Sequence, residues 1–293
     1  MRVTNNQIYD NLLSGVTKQL QVQADANAAV SSGKRFQRPS QAGLDYKISL
    51  DLRQTQTQIQ GSLEALNTAD SRLNASQTML HDISNVLTRA QTIAVQQASA
   101  QIGSQEHLAA LAEVNHLLDR VANASNQSFL GESLFAGSAV DKPAFAKDIS
   151  GHYVYQGALQ DRTVAITSSQ NISSNIRGDT QAFADTFAAL QNFQAALSNS
   201  DTSGISTAIG ELTNANNGIV DLTSRVGGQI SAIQSYRTSY EDMQFAIEKR
   251  MNSHEAADIP SLVAQLQTAE NALQASYSQI AKVGSLSLVN FLR

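Results

Sequence analysis

Few residues in this chain stand at spacings that could do chemistry. Glu113 and His116 form a Glu-x-x-His pair, one helical turn apart. In helical bundles that spacing holds a di-iron or di-manganese centre, which also needs a second Glu-x-x-His and two further glutamates. No second copy exists, and both residues flank an apolar stripe rather than lying in it. An ordinary exposed helix face is the better reading. Gly33-Lys34 invites comparison with a phosphate loop, but position 28 is Ala, position 35 is Arg, and no strand precedes the pair, so the Walker pattern fails. There is no Gly-x-Ser-x-Gly elbow and no Cys, which removes disulfides, thiolate metal sites and cysteine nucleophiles. His81, His107, His152 and His254 are isolated and read as surface residues. The residues point to no enzyme and no cofactor.

What remains is a cluster with a mechanical look. Residues 31–43, SSGKRFQRPSQAG, interrupt a long polar, proline-free stretch with Gly33, Lys34, Arg35, Arg38 and Pro39. The chain around it has 293 residues, 42% hydrophobic and 5% aromatic, which suits thin bundles better than a deep globule. Charged residues make up 15%, below the roughly 25% of an average protein. A surface of Ser, Thr, Asn and Gln loses less on desolvation than a charged one and suits packing against many neighbours. The net charge of −5 gives no general affinity for nucleic acid or anionic membrane. No run of 18 apolar residues exists, so no membrane insertion is expected, and the first residues carry no Sec-type apolar core.

The prolines divide the chain. Of Pro39, Pro143 and Pro260, the first and last set off two end segments of 38 and 33 residues. Each would span on the order of 50 Å as a helix. Their matched length predicts that the ends lie side by side. In the C-terminal segment Ile259, Leu262, Leu266, Ala269, Leu273, Ser276, Ile280 and Val283 alternate spacings of three and four, a coiled-coil stripe. In the N-terminal segment Ile8, Leu12, Leu13, Val16, Leu20 and Val30 are broken up by Gly15, Gln19, Gln23 and Asn27. Such an arm buries too little to offset its ordering entropy and is expected to fold only against a partner. Periodicity leaves open whether that partner is its own domain or another subunit.

The middle reads as a helix over 42–101 with a stripe from Leu44 through Leu66, Leu73, Leu80 and Leu87 to Ala90. A stop and cap at Gly103-Ser104 and a second helix over 105–128 follow. Residues 129–178 change period; 152–156 and 162–167 read as a β-hairpin. Helices resume at 181–197 and 205–253, the latter tolerating Gly210, Gly218 and Gly227-Gly228.

Several stretches together resemble the family of flagellins and hook-associated proteins: SSGKRFQRPS as the turn after the first helix, NQSFLGESLFAGS (126–138) as the exit from the second core helix, and SLSLVNFLR at the end. Leu134 to Gly137, with Tyr155-x-Gly157, Arg162, Gly178-Asp179 and Phe183, is closer to the hook–filament junction members than to filament subunits. The resemblance covers 1–137 and 215–293 well and the centre more loosely. One departure stands out. Junction members often carry two acidic residues and a second proline after the Pro-Ser pair, where this chain has Gln41, Ala42 and Gly43. Lys34, Arg35 and Arg38 are therefore expected to meet a neighbouring subunit.

The resemblance implies a mainly α, elongated, antiparallel helical bundle with a terminal coiled coil and a small β insertion. Its parts would be an N-terminal arm (1–43), the two halves of a helical rod (44–135 and 180–257), an outer β domain (136–179) and a C-terminal arm (258–293). The arms would pack through Ile8, Leu12, Leu13, Val16, Leu20, Leu262, Leu266, Leu273, Ile280, Val283, Leu286 and Leu288. Gly33, Lys34, Arg35, Arg38, Pro39 and Pro260 would form the joints, with Pro39 stopping helix propagation. The protein would form a ring between hook-associated protein 1 and the first flagellin subunits, outside the cell. It would be held by an export chaperone and exported through the flagellar type III apparatus. A short filament-forming flagellin is the alternative within the family. A metal-dependent helical enzyme and a soluble signalling coiled coil are the alternatives outside it.

Overall fold

The computed structural model describes residues 2–99, 104–167 and 170–291, with the side chains of 2–6, 104, 167, 170 and 284–291 left aside. The chain is mainly helical: α1 (Arg2–Ser32), α2 (Pro39–Ser99), α3 (Ser104–Ser125), α4 (Gln181–Ser198), α5 (Thr202–Glu255) and α6 (Ile259–Phe291). Between α3 and α4 lie six short strands: β1 (Ser128–Phe129), β2 (Glu132–Ser133), β3 (Phe145–Lys147), β4 (Tyr153–Tyr155), β5 (Thr163–Thr167) and β6 (Gln170–Ser173). The stop expected before Ser104 falls on residues 100–103, outside the described residues. The chain divides into two compact units, Ile59–Asp242 and the two ends, Met1–Gln58 with Met243–Arg293.

In the central unit, α2 buries Leu66, Ala69, Leu73, Ser76, Leu80, Ile83, Leu87, Ala90 and Ala94, a strict alternation of three and four. On α5 Ile205, Ala208, Leu212, Ala215, Ile219, Leu222 and Val226 repeat it. That rhythm keeps one face of a helix turned to its neighbours over many turns. The stripes join Val114, Leu118 and Val121 of α3 and Phe183, Phe187, Leu190 and Phe193 of α4 in one continuous core. Ser76 sits in the stripe without cost because its hydroxyl donates to the Arg72 carbonyl at 3.0 Å. The glycines of α5 do not interrupt it.

The β segment is three separate two-stranded antiparallel pairs, β1–β2, β3–β4 and β5–β6. The expected pairing of 152–156 with 162–167 does not occur. Tyr153–Tyr155 pairs with Phe145–Lys147, and Thr163–Thr167 with Gln170–Ser173. The reason is a tight turn at Asp148–Gly151. The Asp148 carboxylate accepts from the Ser150 and His152 amides, and Gly151 takes a left-handed φ of 85°. Phe145 then packs on Tyr155, Phe183 and Phe187 with ring centres 4.9–5.7 Å apart. The Asn126 side chain holds Phe145 by both its main-chain groups.

Gly137 shows why its motif ends in glycine. Its φ is 67°, and a Cβ there would collide with the Ala158 carbonyl and lie 2.9 Å from that of Gln160. A second anchor is Glu132, which accepts from Arg72 and, at 2.6 Å, from Arg162. Arg72 is buried on α2, so this carboxylate ties the helix to the β segment. Desolvation pushes Glu132 upward, but the charge of Arg162 and the hydrogen bonds from both arginines hold it below the usual carboxylate range. None of these contacts was legible as a pair in the sequence.

Candidate functional site

The end unit holds the residues singled out as arms and joints. Helices α1 and α6 pack along each other, and an antiparallel bridge between Lys34 and Ala256 fixes their relative direction. Along α1, Val16, Ala26 and Ala29 are buried, Leu12 and Val30 are half-buried, and Ile8, Leu13 and Leu20 are exposed, Leu13 at 51%. Along α6, Ala269 and Leu273 are buried. Leu262, Leu266, Ile280 and Val283 are half-buried, and Ile259, Val263 and Tyr277 are exposed, the last at 54%. The side chains of Leu286 and Leu288 lie outside the described residues. The pairing thus uses one narrow edge of each helix, and on α1 that edge runs through the half-buried Gln19 and Gln23, where its sequence is polar.

The joint between α1 and α2 departs from the sequence reading in two ways. First, Pro39 does not stop a helix. Helix α1 ends at Ser32 because Gly33 takes a φ of 67°, the left-handed C-terminal cap that glycine favours. Pro39 instead opens α2, where its missing N–H would have had no partner. The true break in α2 follows at Ala42 and Gly43, whose backbone is non-helical. Pro260 likewise sits in the first turn of α6.

Second, two of the three joint cations are matched within the chain. Lys34 Nζ lies 2.9 Å from one oxygen of Glu255, and Arg35 Nη2 lies 2.5 Å from Asp45. The local carboxylates expected to be lacking come from two residues past the break and from the distant end of α5. Of the three, only Arg38 has no side-chain ion pair among the described residues. Gln41 takes the place of an acid: its side-chain oxygen accepts from the Gln37 and Arg38 amides, and its amide donates to Asp25. Phe36 is buried, edge-on to Tyr46 at 6.1 Å. A groove of about 440 Å³ opens beside it, lined by Val22, Ala26, Ala29, Phe36 and Leu262.

Sequence reasoning missed Glu255, the hub of this joint. Beyond Lys34, it accepts from Arg53 at 2.6 Å and from the Ser49 hydroxyl. Burial pushes its carboxyl upward, but hydrogen bonds from Ser49, Lys34 and Arg53 hold it below the ordinary range. The one available signal was indirect: three cations in a short joint need a counter-charge from somewhere.

The candidate metal pair is not assembled into a site. Glu113 accepts from Arg89 at 2.7 Å and His116 is exposed. Among the described residues no three His, Asp or Glu side chains gather around a common point. His107 corrects the surface reading. It is buried, because with Ala110, Val114 and Val121 it lies in the apolar stripe of α3, and its ring nitrogens have no hydrogen-bond partner. No described helix is long and apolar enough to cross a membrane.

Comparison with known proteins agrees with this architecture. Residues 3–140 match the bacterial flagellin N-terminal helical region. The flagellar hook-associated protein 3 of Salmonella typhimurium is 22% identical, and the alignment covers 100% of both chains. A putative flagellar hook-associated protein from Vibrio parahaemolyticus superposes with a TM-score of 0.64 at 16% identity, covering 74% of this chain and 100% of that one. FlgL of Bacillus cereus superposes at 0.60 and 18% identity, covering 69% and 99%.

Proposed function

Since this chain belongs to the flagellin family, and within it to the hook-associated protein 3 type, we propose that it is the structural adaptor joining hook to filament, forming a ring through its terminal arms. The observation that carries the mechanism is the state of those arms. They pair with each other, yet leave Ile8, Leu13, Leu20, Val263 and Tyr277 open to solvent. Large apolar side chains left exposed on helices that are already half-paired fit further helices on their outer side. Alone, each arm gains little from burial. In a ring it covers the rest of its stripe, so ordering and assembly become one step. Monomers stay soluble, and polymerisation waits for a template.

In this reading the neighbours are hook-associated protein 1 on one side and flagellin on the other, with copies of the chain around the ring. An export chaperone covers the arms before passage through the type III apparatus, and the working location is extracellular. The filament-forming alternative is less supported: the curated relative matched along its full length carries the hook-associated protein 3 name.

The test is complementation. Cells lacking their own junction protein secrete unassembled flagellin and do not swim; this chain restores swimming. A version lacking α1 does not restore it. If the chain leaves motility unrestored but elongates filaments from seeds in vitro, it is a filament subunit instead.

A further inference from the structure

Helices α1 and α6 present an unusual problem of register. The residues they bury against each other are few and mostly small: Val16, Ala26 and Ala29 on one, Ala269 and Leu273 on the other. Counting outward equally from the Lys34–Ala256 bridge sets Val16 level with Gln274, beside the buried Leu273. A slip of one heptad would bring Val16 beside Ile280 instead, apolar again. The seam itself therefore discriminates weakly between the two pairings. In helical pairs with uniform seams, register is set by a single polar or charged contact that only one alignment satisfies.

Glu255 is such a contact. It is 6% exposed at the end of α5. Its carboxylate meets Lys34 from the joint and Ser49 and Arg53 from α2. Its carbonyl accepts the Arg35 amide at 2.7 Å, and the Ala257 amide returns to the Gly33 carbonyl at 2.9 Å. Side chain and main chain thus lock the residue where α1 ends to the residue where α6 is about to begin. Any slip of α1 along α6 would pull Lys34 away and leave a buried carboxylate with an unmatched share of its charge.

We propose that Glu255 is the positioning residue of the arms, the key that selects one register for α1 against α6. This rests on the reading that these helices are the assembling arms. The lack of cysteine makes the register directly measurable. In the full-length chain, Val16→Cys with Leu273→Cys forms the in-register pair, and Val16→Cys with Ile280→Cys the slipped one. With Glu255 in place the first pair closes under mild oxidation about tenfold faster than the second. Glu255→Gln brings the two rates together, and Glu255→Asp keeps most of the preference. Because cysteines in the seam could disturb it, amide exchange at Arg35 and Ala257 is followed in the chain without them. Glu255→Gln speeds both at least about tenfold, while α2 within residues 59–99 is unchanged. An unchanged rate ratio, or unchanged exchange, in Glu255→Gln overturns the proposal. So does faster closure of the slipped pair in the otherwise unaltered chain. Loss of the junction reading would show separately, as failed complementation by a chain whose register preference is intact.

Discussion

Residues 59–242 and the two ends use the same hydrophobic rhythm to opposite result. In the central unit Leu66, Leu73, Leu80 and Leu87 follow spacings of three and four and vanish from solvent. In α6, Leu262, Leu266, Leu273 and Ile280 follow a similar rhythm, and only Leu273 is buried. The difference lies in what surrounds the stripe. Helix α2 has α3, α4 and α5 contributing to one core, while α6 has one helix of interrupted pattern beside it. Full burial of a leucine is worth about 1.5–3 kcal/mol, and half-burial correspondingly less. Fixing each backbone residue costs about 1–2 kcal/mol. On the proposed reading the central unit has the surplus and the arms do not. A periodic stripe thus says which face will be buried, and the number of neighbours says how firmly.

This contrast can be attacked from either side, reading the unfolding of the central unit by urea or heat. Phe183→Ala removes a ring at the meeting point of α4 and the β segment and is expected to cost about 3–5 kcal/mol. Gly137→Ala, with its left-handed backbone and blocked Cβ position, is expected to cost on the order of 3 kcal/mol. Glu132→Gln weakens the tie to Arg72 and Arg162 and should cost about 1–2 kcal/mol. Leu130→Gly relieves a leucine held at φ 53° on an exposed turn and should stabilise by about 0.5–1 kcal/mol. Leu266→Asp should change this unfolding by less than about 0.5 kcal/mol while abolishing assembly. If it unfolds the whole protein, the arms are part of an ordinary core.

Acid sharpens the same contrast at the joint. The folded Glu255 carboxyl is held below its unfolded value near 4.5. Its contribution is therefore complete above that value and disappears as pH falls through the lower, folded one. Amide exchange at Arg35 and Ala257 should rise in that window before α2 of the central unit changes. Equal response in both places would argue against a separate joint.

The helices were legible because each leaves a periodic mark that does not depend on distant residues. Helix α5 was visible through Gly210, Gly218, Gly227 and Gly228, since the packing of its stripe outweighs their modest propensity cost. Strand pairing was not legible, because short strands such as Tyr153–Tyr155 take partners according to turn geometry rather than pattern. The joint was half legible. Gly33 and the cations announced a break, but Glu255 lies more than two hundred residues away in sequence and has no motif. His107 was misjudged because a histidine in an apolar stripe follows its neighbours inward.

The most direct test compares amide exchange in the dilute full-length monomer and in the assembled junction. In the monomer, amides in the outer halves of α1 and α6 should exchange at least about a hundredfold faster than those around Leu80 and Leu87 of α2, and should slow on assembly. Protection in the monomer equal to that of α2 would contradict the claim that the arms become firm only in company.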